Sequence, residues 1–530
     1  MSKGLVSLKR ALISVSEKRG IKQLAKSLEK NGTEIISTGG TADYLRGAGL
    51  AVKEVSNITN FPELMDGRLK TLHPNIHGGL LAMRDNKDHL VSLQKYNIPE
   101  IDLLVVNLYP FEKTITEVKE LSEIVEQIDV GGPAMIRAAA KNFKFVTVLV
   151  DVEDYESLLN EISENDGCTS FQYRKALAEV AFSRTAEYDA VISQWMLGQT
   201  QKKMPRRFVT AAKLERNLRY GENPHQEAAY YRNSFFEDLF SSSVLHQGKD
   251  LSYNNLSDIN CATQLLYEFE NEPGVMVAII KHGNACGLAV RDTSSDAYIA
   301  AYDSDRSSAF GGVIVINETI DKKTAVLISS IFSEIVLAPA VDQDAKKIFS
   351  KKKNLRLITW SKNQTFENTA LSFRQVLGGV LLQDYDNKKV LKDELRIVTN
   401  KKPSDLELAD MMFAWKVAKH LKSNAVVFAR NMRTVGIGAG QMSRVDSAKI
   451  ATFKAQAMGE ELGYKKSCSY GAVAASDAFF PFADGIYQLA KAGISAVIQP
   501  GGSIKDEEVI EAANVSDIAM VFTNLRHFNH

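Results

Sequence analysis

Residues 11–41 read ALISVSEKRGIKQLAKSLEKNGTEIISTGGT and alternate between strand-like and helix-like patterns. Two apolar runs of strand length, Ala11–Val15 and Glu34–Ser37, lie on either side of a helical pattern over Ile21–Lys30. A second helical pattern starts at Ala42 and stops at the glycines that follow it. This order of strand, helix, strand and helix predicts an α/β domain built on a parallel sheet.

Two later apolar runs, Ile101–Val106 and Phe145–Val150, also have the length of strands, with helical sequence between and after them. We therefore predict a doubly wound, mostly parallel sheet for this part of the chain. Ligands of such sheets bind at the carboxyl ends of the strands. Polar residues that directly follow the strands are the first candidates for a functional site.

The composition is that of an ordinary folded protein: of 530 residues, 45% are hydrophobic and 24% are charged. At about 150 residues per domain, the length corresponds to roughly three or four domain-sized units. The 64 basic residues balance the 64 acidic residues, so no global positive field favours nucleic acid or an anionic membrane. No apolar run reaches the ~18 residues of a membrane span, and no signal-peptide pattern is visible. A cytoplasmic protein is expected.

The four cysteines are Cys168, Cys261, Cys286 and Cys468, which lie far apart and form no Cys-x-x-Cys pair. This spacing argues against a disulfide framework and against a thiolate zinc site. We expect four free thiols.

A polar segment without apolar periodicity, QTQKKMP, occupies residues 199–205. We predict that it links two domains, residues 1–198 and residues 206–530.

The second predicted domain contains an internal echo. Val277–Ile280 runs into Lys281-His282, and Ala425–Ala429 runs into Arg430-Asn431. Two copies of one αβ unit would produce this repetition, and so would chance over so short a match.

Two polar segments follow the first two predicted strands, at Ser14 to Lys18 and at Ser37 to Thr41. Helix N-termini with hydroxyls, glycines and a lysine are suited to binding a phosphate group. The alternative is ordinary helix capping beside a tight turn. The candidate phosphate-binding residues are Ser14, Ser16, Lys18, Thr38, Gly39, Gly40 and Thr41.

The segment from Asp66 to Pro74 contains glycine, proline and two cations, which predicts a shaped loop rather than a helix. It supplies the candidates Arg68, Lys70 and Thr71. His73 and His77 have the spacing of zinc ligands, but Pro74 breaks the helix that would align them and no further ligand completes a set. We expect no metal site.

Asn107 and Tyr109 end a predicted strand, and Asp129 and Gly131 precede a helix that reaches Lys141. Each residue by itself is typical of a surface charge or a helix cap. Together with Lys70, however, the phenol, the acid and the second lysine could meet at one phosphate pocket and transfer protons.

In the second domain, Arg219 to Gln226 is a polar, turn-forming string with an arginine suited to an anion. Lys281-His282 follows an apolar strand, and a neighbouring cation keeps an imidazole neutral and able to accept a proton. A hydrogen-bonded structural histidine is the alternative. Asn431 is a candidate neutral partner, and Phe479 is a candidate wall for a flat ring.

Eight strings occur in one order along the chain: Ser14-Val15-Ser16, Gly39-Gly40-Thr41, Gly67-Arg68-x-Lys70-Thr71-Leu72-His73-Pro74, Asn107-Leu108-Tyr109-Pro110-Phe111, Gln127-Ile128-Asp129-x-Gly131-Gly132, Arg219-Tyr220-Gly221-Glu222-Asn223-Pro224-His225-Gln226, Lys281-His282 and Thr523-Asn524-Leu525-Arg526. In this order they closely resemble the bifunctional purine biosynthesis family that joins IMP cyclohydrolase to AICAR formyltransferase. The resemblance runs essentially end to end.

The resemblance implies an α/β fold: an N-terminal methylglyoxal-synthase-like domain for the cyclohydrolase, and a C-terminal formyltransferase region of two cytidine-deaminase-like subdomains without the deaminase zinc site. It implies formyl transfer from 10-formyltetrahydrofolate to AICAR, followed by dehydrative closure of formyl-AICAR to IMP. 10-Formyltetrahydrofolate would be a co-substrate, with no tightly bound cofactor or catalytic metal. A cytoplasmic homodimer without nucleic-acid or membrane partners is also implied.

By the same resemblance, the catalytic residues are Lys70, Tyr109, Asp129, Lys141, Lys281, His282 and Asn431. Lys70 and Lys141 are the candidates for stabilising oxygen, and Tyr109 and Asp129 are the candidates for moving protons, with the individual roles left open. The substrate-binding residues implied for the second domain are Arg219, Tyr220, His225, Asn254, Phe310, Gly311, Glu334, Gln441, Arg444, Phe479, Asp484 and Arg526.

Two positions depart from the family pattern. Ala285 replaces a proline found in many relatives, from which we expect a somewhat looser turn after His282. Glu334 stands where some relatives have aspartate. Two other interpretations stay open: that only one half is active and the other is a regulatory or structural nucleotide-binding module, or that the chain is a purely structural assembly protein.

Overall fold

A computed structural model of the chain describes residues 4–62, 64–65, 68–200, 204–233, 243–360 and 371–530. The chain divides into two compact units, of which the first ends at Lys213 and the second begins at Leu214, while Arg232 and Asn233 belong with the first. Residues 201–203 of the predicted linker lie outside the described residues.

The first unit contains a five-stranded sheet in the order β4-β3-β2-β5-β6, in which all neighbours are parallel. The short strands β1 and β7 pair separately. The strands are β1 (Val6–Ser7), β2 (Arg10–Val15), β3 (Glu34–Ser37), β4 (Val52–Glu54), β5 (Leu103–Asn107), β6 (Thr147–Leu149) and β7 (Cys168–Thr169). This topology confirms the predicted doubly wound parallel sheet.

Helices cover both faces of this sheet, and each face has its own apolar core. The helices are α1 (Ile21–Lys30), α2 (Gly39–Arg46), α3 (Val55–Thr59), α4 (Pro74–Leu81), α5 (Lys87–Lys95), α6 (Phe111–Glu117), α7 (Leu121–Glu126), α8 (Gly131–Lys141), α9 (Tyr155–Glu164) and α10 (Phe171–Gly198). The second helix starts at Gly39 rather than at Ala42, because the two glycines form its first turn after an extended Thr38.

The hairpin of β8 (Lys213–Leu218) and β9 (Ala228–Arg232) carries the string from Arg219 to Gln226 in its connecting loop. A first sheet follows, with β10 (Val244–Gln247), α11 (Tyr253–Glu268), β11 (Val275–Lys281), β12 (Asn284–Arg291), α12 (Ser294–Asp303), α13 (Arg306–Ala309), β13 (Val313–Ile316), α14 (Lys322–Ser329), β14 (Ile335–Ala338), α15 (Gln343–Phe349) and β15 (Arg356–Thr359).

A second hairpin and a second sheet complete this unit: β16 (Leu371–Val376), β17 (Gly379–Asp384), β18 (Arg396–Ile397), α16 (Asp405–Lys419), β19 (Val426–Ala429), β20 (Thr434–Gly438), α17 (Arg444–Glu461), β21 (Val473–Ser476), α18 (Asp484–Lys491), β22 (Ala496–Gln499), α19 (Asp506–Val515) and β23 (Ala519–Phe522). The two sheets have the orders β10-β15-β14-β13-β11-β12 and β18-β23-β22-β21-β19-β20.

These two orders are the same when each sheet is counted from its own first strand. The directions also agree, with two parallel pairs in the middle and antiparallel pairs at both ends. The echo in the sequence is therefore a duplicated subdomain, which confirms the predicted repeat. Helices α11 and α16 contribute to one core that the two repeats share. None of the helices in the described part of the chain is long and apolar enough to cross a membrane.

Candidate active sites

The polar segments after β2 and β3 lie side by side, because these strands are neighbours in a parallel sheet. Ser14 Oγ and Thr38 Oγ1 are 3.0 Å apart, and Lys18 Nζ donates to Thr41 Oγ1 at 2.8 Å. The ammonium also donates to the carbonyl of Val15, and burial lowers the pKa of Lys18. Hydroxyls, a cation and the N-terminus of α2 thus converge at one sheet edge, as a phosphate site requires.

Asn107 reaches the same edge from β5, on the other side of β2. Its Oδ1 accepts hydrogen bonds from Ser16 N at 2.6 Å, Ser16 Oγ at 2.9 Å and Glu17 N at 3.0 Å. The loop after β2 is therefore fixed by a side chain from the neighbouring strand.

The loop with Lys70 and Thr71 connects this edge to α8. A Cβ on Gly39 would stand 2.8 Å from Lys70 Nζ, and a Cβ on Gly131 would stand 2.8 Å from Thr71 Oγ1. Gly39 thus leaves room for the loop at the start of α2, where Gly40 also lies. Gly131 leaves room for it at the start of α8. Arg68, in contrast, forms an exposed ion pair with Glu126, and Asp66 and Gly67 lie outside the described residues.

Asp129 lies directly before α8, where its Oδ1 accepts from Gly132 N at 2.8 Å and its own N–H donates to the Tyr188 hydroxyl at 2.8 Å. Burial raises the pKa of Asp129, against the opposing effect of the backbone N–H groups of Gly132 and Gly131. A half-buried carboxylate with a raised pKa is suited to proton transfer. Tyr109, two residues beyond β5, is 52% exposed.

His73 and His77 have separate structural places. His73 Nδ1 accepts from Asn75 N at 3.1 Å and so caps α4, which begins at Pro74 and contains His77. Within the described residues, no group of three or more His, Cys, Asp or Glu side chains could hold a metal ion.

In the second unit, β11 and β12 form a tight hairpin whose turn residues are His282 and Gly283. Their φ angles are 52° and 72°, as the two central positions of a type I′ turn require. The imidazole of His282 is exposed. Beside it, Lys281 Nζ donates to the carbonyl of Phe310 at 2.7 Å, and Gly311 continues that loop with a φ of 75°.

This hairpin lines a cleft of about 460 Å³, whose other walls come from β20, α17 and the loop before α13. Asp305 and Lys454 form an ion pair on the cleft wall with an oxygen to nitrogen distance of 2.7 Å, and Gln441 also lines the cleft. The histidine therefore stands at the mouth of a polar space inside the second unit.

The loop between β8 and β9 is tied to the start of α11. Asn254 Nδ2 donates to the carbonyl of Glu222 at 3.2 Å. In the same loop, the Arg219 guanidinium lies over the Tyr220 ring at 5.0 Å, and His225 is exposed. These predicted binding residues are thus carried by one exposed loop.

Helix α11 also holds Glu334 and the hairpin turn. Asn255 Nδ2 donates to Glu334 Oε2 at 3.3 Å, and Arg356 Nη1 donates to the same oxygen at 3.0 Å. One turn further along the helix, Asp258 Oδ1 accepts from Gly283 N at 2.7 Å. The side chain of Glu334 is therefore engaged by two neighbours within the chain.

Arg444 lies in a buried polar cluster beside the start of β19. Its guanidinium donates to Asn424 Oδ1 at 2.8 Å, to Asp477 Oδ1 at 3.2 Å and to the carbonyl of Phe479 at 2.9 Å. Asn424 Nδ2 in turn donates to the carbonyl of Gln441 at 2.9 Å. Three predicted residues are thus gathered around Asn424 and Asp477. Asp484, the first residue of α18, and Arg526 are both exposed.

The family description "AICARFT/IMPCHase bienzyme" matches residues 139–454, and the description "MGS-like domain" matches residues 20–134. The chain is 54% identical to the bifunctional purine biosynthesis protein PurH of Paracoccus denitrificans, over 99% of each chain. It is 53% identical to PurH of Roseobacter denitrificans, again over 99% of each chain. The chain belongs to the AICARFT/IMPCHase bienzyme family. A solved structure of ForH is 37% identical over 36% of this chain and 99% of that one, with a TM-score of 0.32.

The bienzyme therefore has the two activities of its family name, AICAR formyl transfer and IMP cyclohydrolysis, which are the last two steps of IMP synthesis.

Within one chain of the bienzyme, Asn431 does not lie beside His282, its predicted partner. Asn431 has the same φ of 52° and occupies in the second repeat the place that His282 has in the first. Strands β12 and β20 lie antiparallel, with Val290 N donating to the carbonyl of Met432 at 3.0 Å, so Asn431 is beside the far end of β12. With eight residues in that strand, the two turns are about 25 Å apart.

Sequence reasoning missed Asn424, which has the closer connection to the hairpin. Two residues before it, Lys422 N donates to Asn284 Oδ1, in the first residue of β12, at 3.0 Å. The only signal in the sequence was a polar pair, Ser423-Asn424, before the second apolar strand of the echo.

Lys141 is also separated from its predicted partners. It is the last residue of α8 and is exposed, whereas Asp129 and Gly131 are at the start of that helix. The helix has 11 residues, so its ends are about 15 Å apart. Within one chain, Lys70, Thr71 and Asp129 lie in one region near the start of α8. Lys141 lies at the opposite end of that helix.

Ala285 does not lie in the turn. It is a buried residue of β12 and pairs with Ile280, while the turn consists of His282 and Gly283. The expected effect of Ala285 on the turn stays a prediction, and it would have to act through Asn284, which lies between Ala285 and the turn.

Proposed function

We propose that the first unit closes formyl-AICAR to IMP at the edge formed by β2, β3 and α8, and that the second unit transfers the formyl group at the His282 hairpin. The assignment of 1–198 and 206–530 to the two reactions belongs to this proposal. The observation that carries it is the exposed imidazole of His282, which a tight hairpin turn holds at the mouth of a polar cleft.

In the cyclohydrolase reaction, the carboxamide nitrogen attacks the formyl carbon and water is lost. The substrate phosphate binds the hydroxyls and Lys18 beside β2 and β3, as the local charge favours. Lys70 stabilises the oxygen that becomes negative, since an ammonium supplies hydrogen bonds and charge. Asp129 takes the proton from the nitrogen, because its raised pKa makes it a better base than an ordinary aspartate.

In the transferase reaction, the amine of AICAR attacks the formyl carbon of 10-formyltetrahydrofolate. This amine is conjugated with its ring and is a poor nucleophile until its proton is removed. His282 accepts that proton, and the proton is returned to the folate nitrogen when its bond to the formyl carbon breaks. Lys281 keeps two donor hydrogens after its bond to Phe310, and these stabilise the formyl oxygen while the folate nitrogen leaves.

10-Formyltetrahydrofolate is the proposed co-substrate, and AICAR and formyl-AICAR are the proposed nucleotide ligands. Arg219 and Arg526, which are both exposed, supply cations for the AICAR phosphate. Arg444 orders Asn424 and Asp477 through its own hydrogen bonds. We place the enzyme in the cytoplasm, where its four free thiols stay reduced.

We also propose that the enzyme is a homodimer. The hairpin of β16 and β17 supports this, because its apolar side chains Leu377, Val380 and Leu381 are exposed, and exposed apolar side chains grouped in this way are typical of an interaction surface.

Substitution His282→Ala tests the assignment. Formyl transfer should fall by about a hundredfold or more, the usual contribution of a positioned general base, with little change in AICAR affinity. Cyclohydrolase activity should be unchanged, since its residues lie in the other unit. Steady-state assays of both reactions on the same preparation provide the measurement and the folding control.

The same assays on the unmodified enzyme give the reference rates for both activities. Near-normal formyl transfer in His282→Ala would show that the histidine is structural. Equal loss of both activities would point to misfolding.

A further inference from the structure

Helix α11 engages both backbone polar groups of Gly283, the residue that follows His282 in the turn. Asp258 Oδ1 accepts from Gly283 N at 2.7 Å. Cys261, three residues later on the same helix, donates its S–H to the Gly283 carbonyl with a sulfur to oxygen distance of 3.4 Å. Burial raises the pKa of the Cys261 thiol to about 12, so the thiol keeps the proton that it donates.

The second repeat contains the same carboxylate in the same place. Asp410 is the sixth residue of α16, as Asp258 is of α11. Its two oxygens accept from Asn431 N at 2.7 Å and from Met432 N at 2.6 Å. Both hairpin turns are therefore fastened to the preceding helix through an aspartate, whereas the residue in the turn differs between the repeats.

The turn needs such a fastening because His282 is in the left-handed region, with a φ of 52°. A residue with a side chain adopts this conformation at a cost, and surrounding contacts must compensate for it. A charged acceptor on the next N–H is a strong contact of this kind. It ties the direction of the His282 side chain to a helix whose inner face is buried in the shared core.

We propose that Asp258 is a positioning residue for formyl transfer: it fixes the Gly283 amide and thereby holds the imidazole of His282 at the mouth of the cleft. Cys261 supports the carbonyl of the same residue, more weakly, because a thiol is a poor donor. This role rests on the proposed function of His282 as the base.

The test uses the full chain with Asp258→Ala, Asp258→Asn and the control Asn260→Ala, an exposed residue on the same helix. A base displaced by about 1 Å loses up to about a hundredfold in rate, so Asp258→Ala should lower kcat for formyl transfer by about tenfold to a hundredfold. Asp258→Asn keeps an oxygen acceptor and should lose less than about tenfold. Asn260→Ala should match the unmodified enzyme, and all three should keep cyclohydrolase activity.

A double variant separates positioning from an independent effect. If Asp258 acts through His282, then Asp258→Ala combined with His282→Ala should be no slower than His282→Ala alone. Losses that multiply in the double variant would overturn the proposal. Equal losses of kcat in Asp258→Asn and Asp258→Ala would also overturn the proposal. In that case the oxygen acceptor that Asn retains would not contribute to the rate.

Hydrogen exchange gives a readout that does not depend on activity. In Asp258→Ala, the amide of Gly283 should exchange faster, and in Asp258→Asn it should stay close to the unmodified enzyme. Unchanged exchange in Asp258→Ala would contradict the positioning role even if formyl transfer fell. Normal formyl transfer in His282→Ala would instead refute the proposed base while leaving the exchange result interpretable.

Discussion

Asp129 shows how a single residue is prepared for chemistry by its surroundings. Burial disfavours its charged form, and the N–H groups at the start of α8 partly restore it. Three residues further on, glycine leaves the carboxylate room, because a Cβ on Gly132 would stand 2.4 Å from Asp129 Oδ2. A side chain at position 132 would therefore push the Asp129 carboxylate away from the start of α8.

The raised pKa of Asp129 predicts the pH dependence of cyclisation. A base works only when it is ionised, so kcat/KM should fall as the pH falls through a pKa above that of an ordinary aspartate. Asp129→Asn should lose most of the activity and also this acid limb. The measurement is the pH profile of formyl-AICAR closure.

Asp88→Asn, which changes an exposed aspartate of α5, is the matched control and should keep the profile. If kcat/KM of Asp129→Asn still falls at low pH as in the unmodified enzyme, that fall is due to another group.

At the level of elements, α8 and α11 have a comparable function in their units. Each places its first turns where strands or hairpins end, so its side chains and N–H groups meet the predicted site residues.

The β16 and β17 hairpin is different, because it pairs with no other strand of the described chain and carries Leu377 fully exposed at its turn.

The hairpin predicts the effect of charge on association. Leu377→Glu combined with Leu381→Glu should weaken the dimer, since two carboxylates would have to be buried at an apolar contact. Sedimentation should show monomer at concentrations where the unmodified enzyme is dimeric, and formyl transfer should fall together with the dimer fraction.

Lys351→Glu, on an exposed position of the same unit, is the control for charge alone. A double variant that stays dimeric with full formyl transfer would remove the hairpin from the interface.

At the scale of the whole molecule, each unit has its own apolar cores, on both faces of the parallel sheet in the first and around the two repeats in the second. Separate cores are the condition for independent folding. The second unit is itself two repeats that share a core, so it is not expected to divide further.

Residues 1–198 should therefore fold when expressed alone and close formyl-AICAR to IMP. Helix α10 ends at Gly198, so the cut leaves the elements of the sheet intact. Circular dichroism reports folding, and IMP formation reports activity. A folded fragment without cyclisation above background would show that the assignment of the reaction to this unit is wrong.

The pattern of the first strands was sufficient to predict the sheet and the meeting of Ser14 with Thr38. Helix α1 and strand β3 have the predicted bounds, because their apolar periodicity ends at strong turn residues. Neighbouring parallel strands bring their carboxyl ends to one edge, so residues after each strand meet without any knowledge of side-chain packing. The repeat in the second half was also visible in the sequence, because each copy has one apolar strand followed directly by a polar turn.

The meeting of side chains from distant elements could not be predicted in this way. Asn431 has the sequence signal of a partner for His282, but antiparallel β12 and β20 put the two turns at opposite ends. Lys141 is near Asp129 in sequence, yet a helix separates them. Asn424 and Asp258 have no motif: Asn424 follows Lys422, which bonds to the first residue of β12, and Asp258 bonds to the turn from α11. Such contacts depend on strand order, register and helix direction, which the apolar pattern of a single segment does not contain.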